Sequence, residues 1–326
     1  MNLEALRYLY LRRVVGPAIS LLGVRLADRL ARRLGRMVHS LGSPARQGAE
    51  ARAAEWLGDA SAGAAIVGDM YEHAGRFCVE TLFASRRLRE ASWRSYVSVT
   101  GEQDLRKLAE SPKGCLVTTA YYGSVGVLAW SLGQLFRPVH VVADRFDHPA
   151  LRAWQRDLYS QPNVRIIERR EAARLVPAVL EQGGAVLLIA ENERPRGPAV
   201  AVEFLGRTLR CYPTLPRLAR WFDVPVAVVT CCREPEAFRF DMRLHGVVRH
   251  DAQSDDEMTM REVMARLEGA IRTNPEQYWW PMPVLNKPTY AYGNLIGVVP
   301  QIRLKSVGCA KAVSGAQMAG KSGVGN

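Results

Sequence analysis

From about residue 114 to residue 272 the chain alternates short β-rich runs with stretches of helical periodicity, and this constrains its fold more than any other feature. Cys115–Ala120, Val139–Ala143, Val164–Ile167, Ala185–Ala190, Val224–Cys231 and Phe238–Leu244 have the length and composition of strands. Val125–Leu135, Pro149–Tyr159, Glu171–Glu181 and Tyr212–Phe222 read as the helices between them. Ser254 with Glu257 forms a capping-box pattern that opens a last helix, ending near Arg272. Such alternation predicts an α/β fold, a mostly parallel central sheet flanked by helices. Residues 44–95 read as further helix with a turn in the Gly/Ala cluster 58–65. No internal repeat and no Pro- or Ser-rich linker divides residues 49–302, so these are expected to form one domain.

Sites in parallel sheets lie beyond the carboxyl ends of the strands, which singles out the loops 121–126, 144–148 and 191–197. Their polar residues are expected to converge in one cleft. The first loop is half of a hydrolase nucleophile elbow: Gly126 follows Ser124, but Tyr122 stands where the first glycine of G-x-S-x-G belongs. Ser124 therefore reads as a helix N-cap before it reads as a nucleophile. In the second loop Arg145 has the planar fork that holds a phosphate or carboxylate by paired hydrogen bonds. The third loop places Glu191, Asn192, Glu193, Arg194 and Arg196 at a strand end. Metal-ligand spacing, a P-loop and a dinucleotide fingerprint are all absent from the sequence, so no metal and no cofactor are expected. The scattered cysteines carry no C-x-x-C and read as reduced, mostly buried thiols.

Composition enters through the placement of charge. At 48% hydrophobic and 23% charged residues the chain is neither largely disordered nor a polytopic membrane protein. Of its net charge of +12, residues 1–48 supply +7 and residues 303–326 supply +4, leaving the middle close to neutral. A nucleic-acid enzyme more often lines a groove of its body with basic residues, so no nucleic acid is expected as partner. Basic chain ends suit an anionic phospholipid membrane. Residues 3–38 read as helix, broken near Gly16-Pro17, with Leu22, Leu26, Leu30 and Leu34 recurring at helical spacing. Its longest uncharged run, residues 14–24, falls short of the ~20 apolar residues that span a bilayer. The segment 1–48 is thus expected to lie in the interface, with Arg12, Arg13, Arg25 and Arg29 against lipid phosphates, rather than to be a cleaved leader. Residues 303–326 are expected to be a disordered basic tail.

Several segments, in order, resemble the bacterial lipid A biosynthesis acyltransferases, the lauroyl/myristoyl transferases of the glycerolipid acyltransferase superfamily. After the Arg-rich N-terminal helix, Thr119-Ala120-Tyr121-Tyr122-Gly123 is similar to that family's T-[AG]-H-[YFL]-G-N-W-E segment. Arg145 and Pro149 resemble its V-x-R-x-x-x-N-P, and Ala185–Asn192 an apolar strand ending in Asp-Gln. Val202-Glu203-Phe204-Leu205-Gly206-Arg207 resembles v-x-F-F-G-r, and Leu215–Pro225 the helix and strand that follow it. Asn274-Pro275-Glu276-Gln277-Tyr278-Trp279-Trp280 is similar to the closing h-P-E-Q-W-x-W. The resemblance spans roughly residues 1–288.

It implies a glycerolipid acyltransferase-like fold with a membrane-associated N-terminal helix, working at the cytoplasmic face of a bacterial inner membrane. The implied reaction moves a fatty acyl group from acyl-CoA or acyl carrier protein to a lipid hydroxyl. In the family an H-x-x-x-x-[DE] pair supplies the base and its orienting acid. Here Tyr121 holds the His position and Gly126 the acid position; a phenol with an ordinary pKa of ~10 is a poor base, and glycine orients nothing. Glu191 stands for the Asp of Asp-Gln, and Pro281-Met282-Pro283-Val284 replaces a polar His-Arg-Arg-like run. The catalytic candidates are therefore Tyr121, Gly126, Glu191 and Glu193. The substrate-binding candidates are Gly123, Ser124, Arg145, Asn192, Phe204, Gly206 and Arg207. Two alternatives accompany an acyltransferase with a rearranged base: a silent homologue that binds lipid or acyl carrier or supports a partner enzyme, and a Ser124-dependent lipid hydrolase.

Overall fold

The computed structural model describes residues 21–281, apart from 22, 145–151, 153–154, 157–158, 160, 195 and 251–253. Arg12, Arg13, Arg145 and the tail 303–326 lie outside the described residues.

Among the described residues three helices come first: α1 (Val24–Ser40), α2 (Pro44–Leu57) and α3 (Ala60–Arg87). The Ser43 hydroxyl accepts from the Arg46 amide to cap α2, and Pro44 sits at the first helical position, where its missing N–H costs nothing. Gly58 ends α2 at φ +68, and Asp59 caps α3 through the amides of Ser61 and Ala62. The turn is thus confined to Gly58-Asp59, and the rest of the Gly/Ala cluster is helical. Helices α1 and α3 cross on small residues: a Cβ on Gly35 would lie 2.1 Å from the Tyr71 carbonyl oxygen, and one on Gly75 would lie 2.2 Å from that of Ala31.

Then follow β1 (Val97–Thr100), α4 (Glu102–Ala109), β2 (Cys115–Thr119), α5 (Val125–Phe136), β3 (Val139–Ala143), β4 (Val164–Glu168), α6 (Arg169–Glu181) and β5 (Ala185–Ile189). The chain continues through β6 (Val200–Phe204), β7 (Arg207–Cys211), α7 (Thr214–Phe222), β8 (Val226–Arg233), β9 (Phe240–Val248) and α8 (Asp256–Thr273). A seven-stranded sheet has the order β1-β9-β8-β2-β5-β3-β4, parallel throughout except where β8 meets β9. β6 and β7 form a separate antiparallel hairpin. Its two-residue turn, Leu205-Gly206, has φ +50 and +77, the primed-turn geometry whose twist matches the strands. The last helix is capped by Asp255, which accepts from the Met258 amide at 2.7 Å, rather than by Ser254.

All five residues of β2 are buried, as a central strand covered on both faces requires. One core packs α6, α7 and α8 on the sheet, the other packs α4 and α5. α3 bridges them, giving Val67 and Met70 to the first and Phe83 to the second. From β2 the chain crosses past β5 to β3, and from β5 it crosses past β2 to β8. The two connections leave in opposite directions, so a crevice opens at the carboxyl ends of β2 and β5.

On α1, Ala27, Ala31 and Gly35 are buried, whereas Leu26, Leu30, Leu34 and Met37 stay exposed beside Arg25, Arg29, Arg33 and Arg36. The small residues, not the leucines, make the packing face. No helix among the described residues is long and apolar enough to cross a membrane.

Candidate active site

The loops after β2 and β5 meet in that crevice. The Tyr121 amide donates to Glu191 Oε1 at 2.5 Å, joining residues 70 apart in sequence. Glu191 is 2% exposed, and its second oxygen, Oε2, is buried with no hydrogen-bond partner among the described residues. Burial disfavours its charge more than the Tyr121 amide favours it, so its pKa is pushed up to about 8. Tyr121 is pushed the opposite way from what a base needs. Burial first, then the charge of Glu191, holds its phenol protonated well above the ordinary range. At neutral pH Tyr121 is a hydrogen-bond donor.

The Tyr121–Ser124 loop is fixed from two sides. Gly123 has φ +65, and a Cβ there would stand 2.1 Å from the Cys231 carbonyl oxygen of β8. Only glycine fits, both for the left-handed backbone and for the close approach. Its amide donates to the Gln277 carbonyl at 3.0 Å, Tyr122 forms an antiparallel bridge with Tyr278, and the Trp279 amide donates to the Tyr121 carbonyl at 2.9 Å. The segment 277–279 thus lies along the loop like a short strand. Ser124 is 1% exposed at the N-cap of α5 and makes no side-chain cap bond, so it holds the predicted position without the expected bond. Gly126 is buried inside α5.

The remaining candidates divide into those near the Tyr121–Glu191 contact and those that support it. Asn192 donates from Nδ2 to the Ile189 carbonyl at 3.2 Å, and Glu193 bridges to Cys211, so both shape the loop. Phe204 packs edge-on against Tyr278, with ring centroids 6.2 Å apart, and Tyr278 lies within electrostatic reach of Glu191. Arg207 lines a small cavity of about 20 Å³ with Arg52, Tyr278 and Trp280, while Gly206 serves the hairpin turn. Arg25 and Arg29 are exposed on α1.

Arg169, Tyr159 and Tyr212, not singled out from the sequence, complete the neighbourhood with Asp144 and Arg194 of the second and third loops. Arg169, at the start of α6, pairs with Asp144 at 2.7 Å, and both charges bear on the Tyr121 hydroxyl. The guanidiniums of Arg169 and Arg194 stand 5.8 and 5.1 Å from the Tyr212 ring centroid. Tyr159 is pushed up to about 12 by burial and adds a second phenol. None of these carries a sequence signal beyond lying near a strand end. Among the described residues no group of His, Cys, Asp and Glu is placed to hold a metal ion. Cys115, Cys211 and Cys231 are free and buried, and Cys232 is free and half-buried.

A model of the family described as bacterial lipid A biosynthesis acyltransferase matches residues 1–285. No curated protein matches the chain.

Proposed function

The chain belongs to the bacterial lipid A biosynthesis acyltransferase family, and from that premise we propose that it transfers an acyl group at a membrane surface with Glu191 in place of the family's imidazole. The observation that carries this reading is the buried Glu191 carboxylate. One oxygen is spent on the Tyr121 amide, the other has no partner among the described residues, and the pKa of about 8 suits proton exchange near neutrality. Oε2 takes the proton of the acceptor hydroxyl as that oxygen attacks the thioester carbonyl. The C–S bond then breaks, and the departing thiolate recovers the proton from Glu191. The neutral Tyr121 phenol donates a hydrogen bond to the carbonyl oxygen as it gains charge. The donor is acyl-CoA or acyl carrier protein, and the acceptor is a lipid or glycolipid hydroxyl.

The exposed leucine stripe of α1, flanked by arginines, supports seating on an anionic phospholipid surface, in a bacterium the cytoplasmic face of the inner membrane. The purified full chain, given labelled acyl-CoA or acyl carrier protein and a lysolipid, is expected to turn over. Glu191→Gln should lower the rate ~100-fold. Absence of turnover with lipid binding retained would overturn the enzyme reading. It would favour the silent homologue that binds lipid or acyl carrier or supports a partner enzyme, the reading that Tyr121 and Gly126 at the family's reactive positions support. The burial of Ser124 weighs against the hydrolase reading; labelling of Ser124 by a fluorophosphonate would restore it.

A further inference from the structure

Arg233 is the last residue of β8, and its side chain is only 2% exposed. Its Nε donates to Glu80 Oε1 on α3 at 2.6 Å, and the Glu80 side chain is 7% exposed. The rest of the pair is poorly satisfied: Arg233 Nη2 and Glu80 Oε2 are both buried with no partner among the described residues. An ion pair that loses its water and leaves two atoms unbonded is a weak source of stability, and apolar side chains of similar volume often do as well.

What the pair does hold is a chain of hydrogen bonds. The Arg233 amide donates to Gln277 Oε1 at 2.8 Å, and Gln277 Nε2 donates back to the Arg233 carbonyl at 2.9 Å. The Gln277 carbonyl receives the Gly123 amide, and two residues on Trp279 binds the Tyr121 carbonyl. A continuous route therefore runs from α3 through Arg233 and Gln277 into the loop that carries Tyr121. We infer that Glu80 and Arg233 are positioning residues, which fix the Tyr121–Gly123 loop through Gln277; this rests on the reading of Tyr121 and Glu191 as the reacting centre.

The test is amide hydrogen exchange on the full chain without substrate, which reads loop order independently of turnover. In Glu80→Leu/Arg233→Met, Arg76 keeps its own partner Asp28 at 2.7 Å. Gly123 and Trp279 should exchange at least about tenfold faster in this variant, while Val117 and Leu187 of the central strands keep their protection. Gln277→Leu leaves the ion pair intact and should give the same selective loss. Unchanged protection of Gly123 and Trp279 in either variant would overturn the inference. So would a global loss in which Val117 and Leu187 exchange equally fast, because the pair would then be part of the structural core. Selective loosening in a chain that never transfers an acyl group would refute the catalytic reading alone.

Discussion

Two glutamates lie buried near the carboxyl ends of the central strands, Glu191 after β5 and Glu80 on α3 beside the end of β8, and they differ in their company. Glu80 faces a buried guanidinium at 2.6 Å, so its charge is compensated where it stands. Glu191 has an amide on one oxygen and no ion pair among the described residues, and burial pushes its pKa up to about 8. The difference separates two uses of a buried carboxylate. A paired one tethers elements, and an unpaired one is poised to exchange a proton.

Removing one partner of the pair tests this contrast most severely. Glu80→Gln leaves Arg233 charged and uncompensated in the interior, and should cost about 3–5 kcal/mol in a denaturant titration. Glu191→Gln should instead stabilise the protein at alkaline pH, because it removes a charge that the fold does not compensate. The folded chain holds the Glu191 proton up to about pH 8, whereas an exposed glutamate releases it near 4.5. That contribution to stability is full below 4.5 and is lost as pH rises through 4.5–8. Wild-type Tm should therefore fall across this window, and the variant should not follow, a gap on the order of a few kcal/mol by pH 9. Equal pH dependence in both proteins would remove Glu191 from the proton chemistry.

Gly123→Ala drives a methyl into the Cys231 carbonyl and should cost about 1–3 kcal/mol while shifting the Tyr121 amide off Glu191. A backbone amide chemical shift for Tyr121 unchanged from wild type would break that link. The smallest effect concerns α1. Leu30→Ser with Leu34→Ser should weaken partitioning to phosphatidylglycerol vesicles by about 1–3 kcal/mol, measured by sedimentation, with Tm little changed because both leucines are exposed. Unaltered partitioning would dismiss the stripe as a lipid contact.

Much of this was legible in the residues. The run Val139–Ala143 matches β3 at both ends, and Cys115–Ala120 and Ala185–Ala190 match β2 and β5 to within one residue, because short apolar runs between helical patterns admit few other conformations. β1, four residues at a sheet edge, and the β6–β7 hairpin lack the continuous apolar run of the central strands, because their buried residues alternate with exposed ones. Tyr121, Gly123 and Glu191 were candidates from strand ends and from the resemblance. Tyr278 and Gln277 were known only as parts of a closing motif. Nothing local to them says that they lie along the first loop, since that contact spans more than 150 residues of chain.

By itself the sequence determined the class of fold and the family, because side-chain identity and periodicity are local properties. The tertiary structure alone decided that Glu191 meets the Tyr121 amide and that, among the described residues, Glu80 has a cation beside it and Glu191 has none. The physical reason is that a carboxylate's chemistry is set by the dielectric and the charges around it. Strand order, not strand sequence, brings those neighbours together.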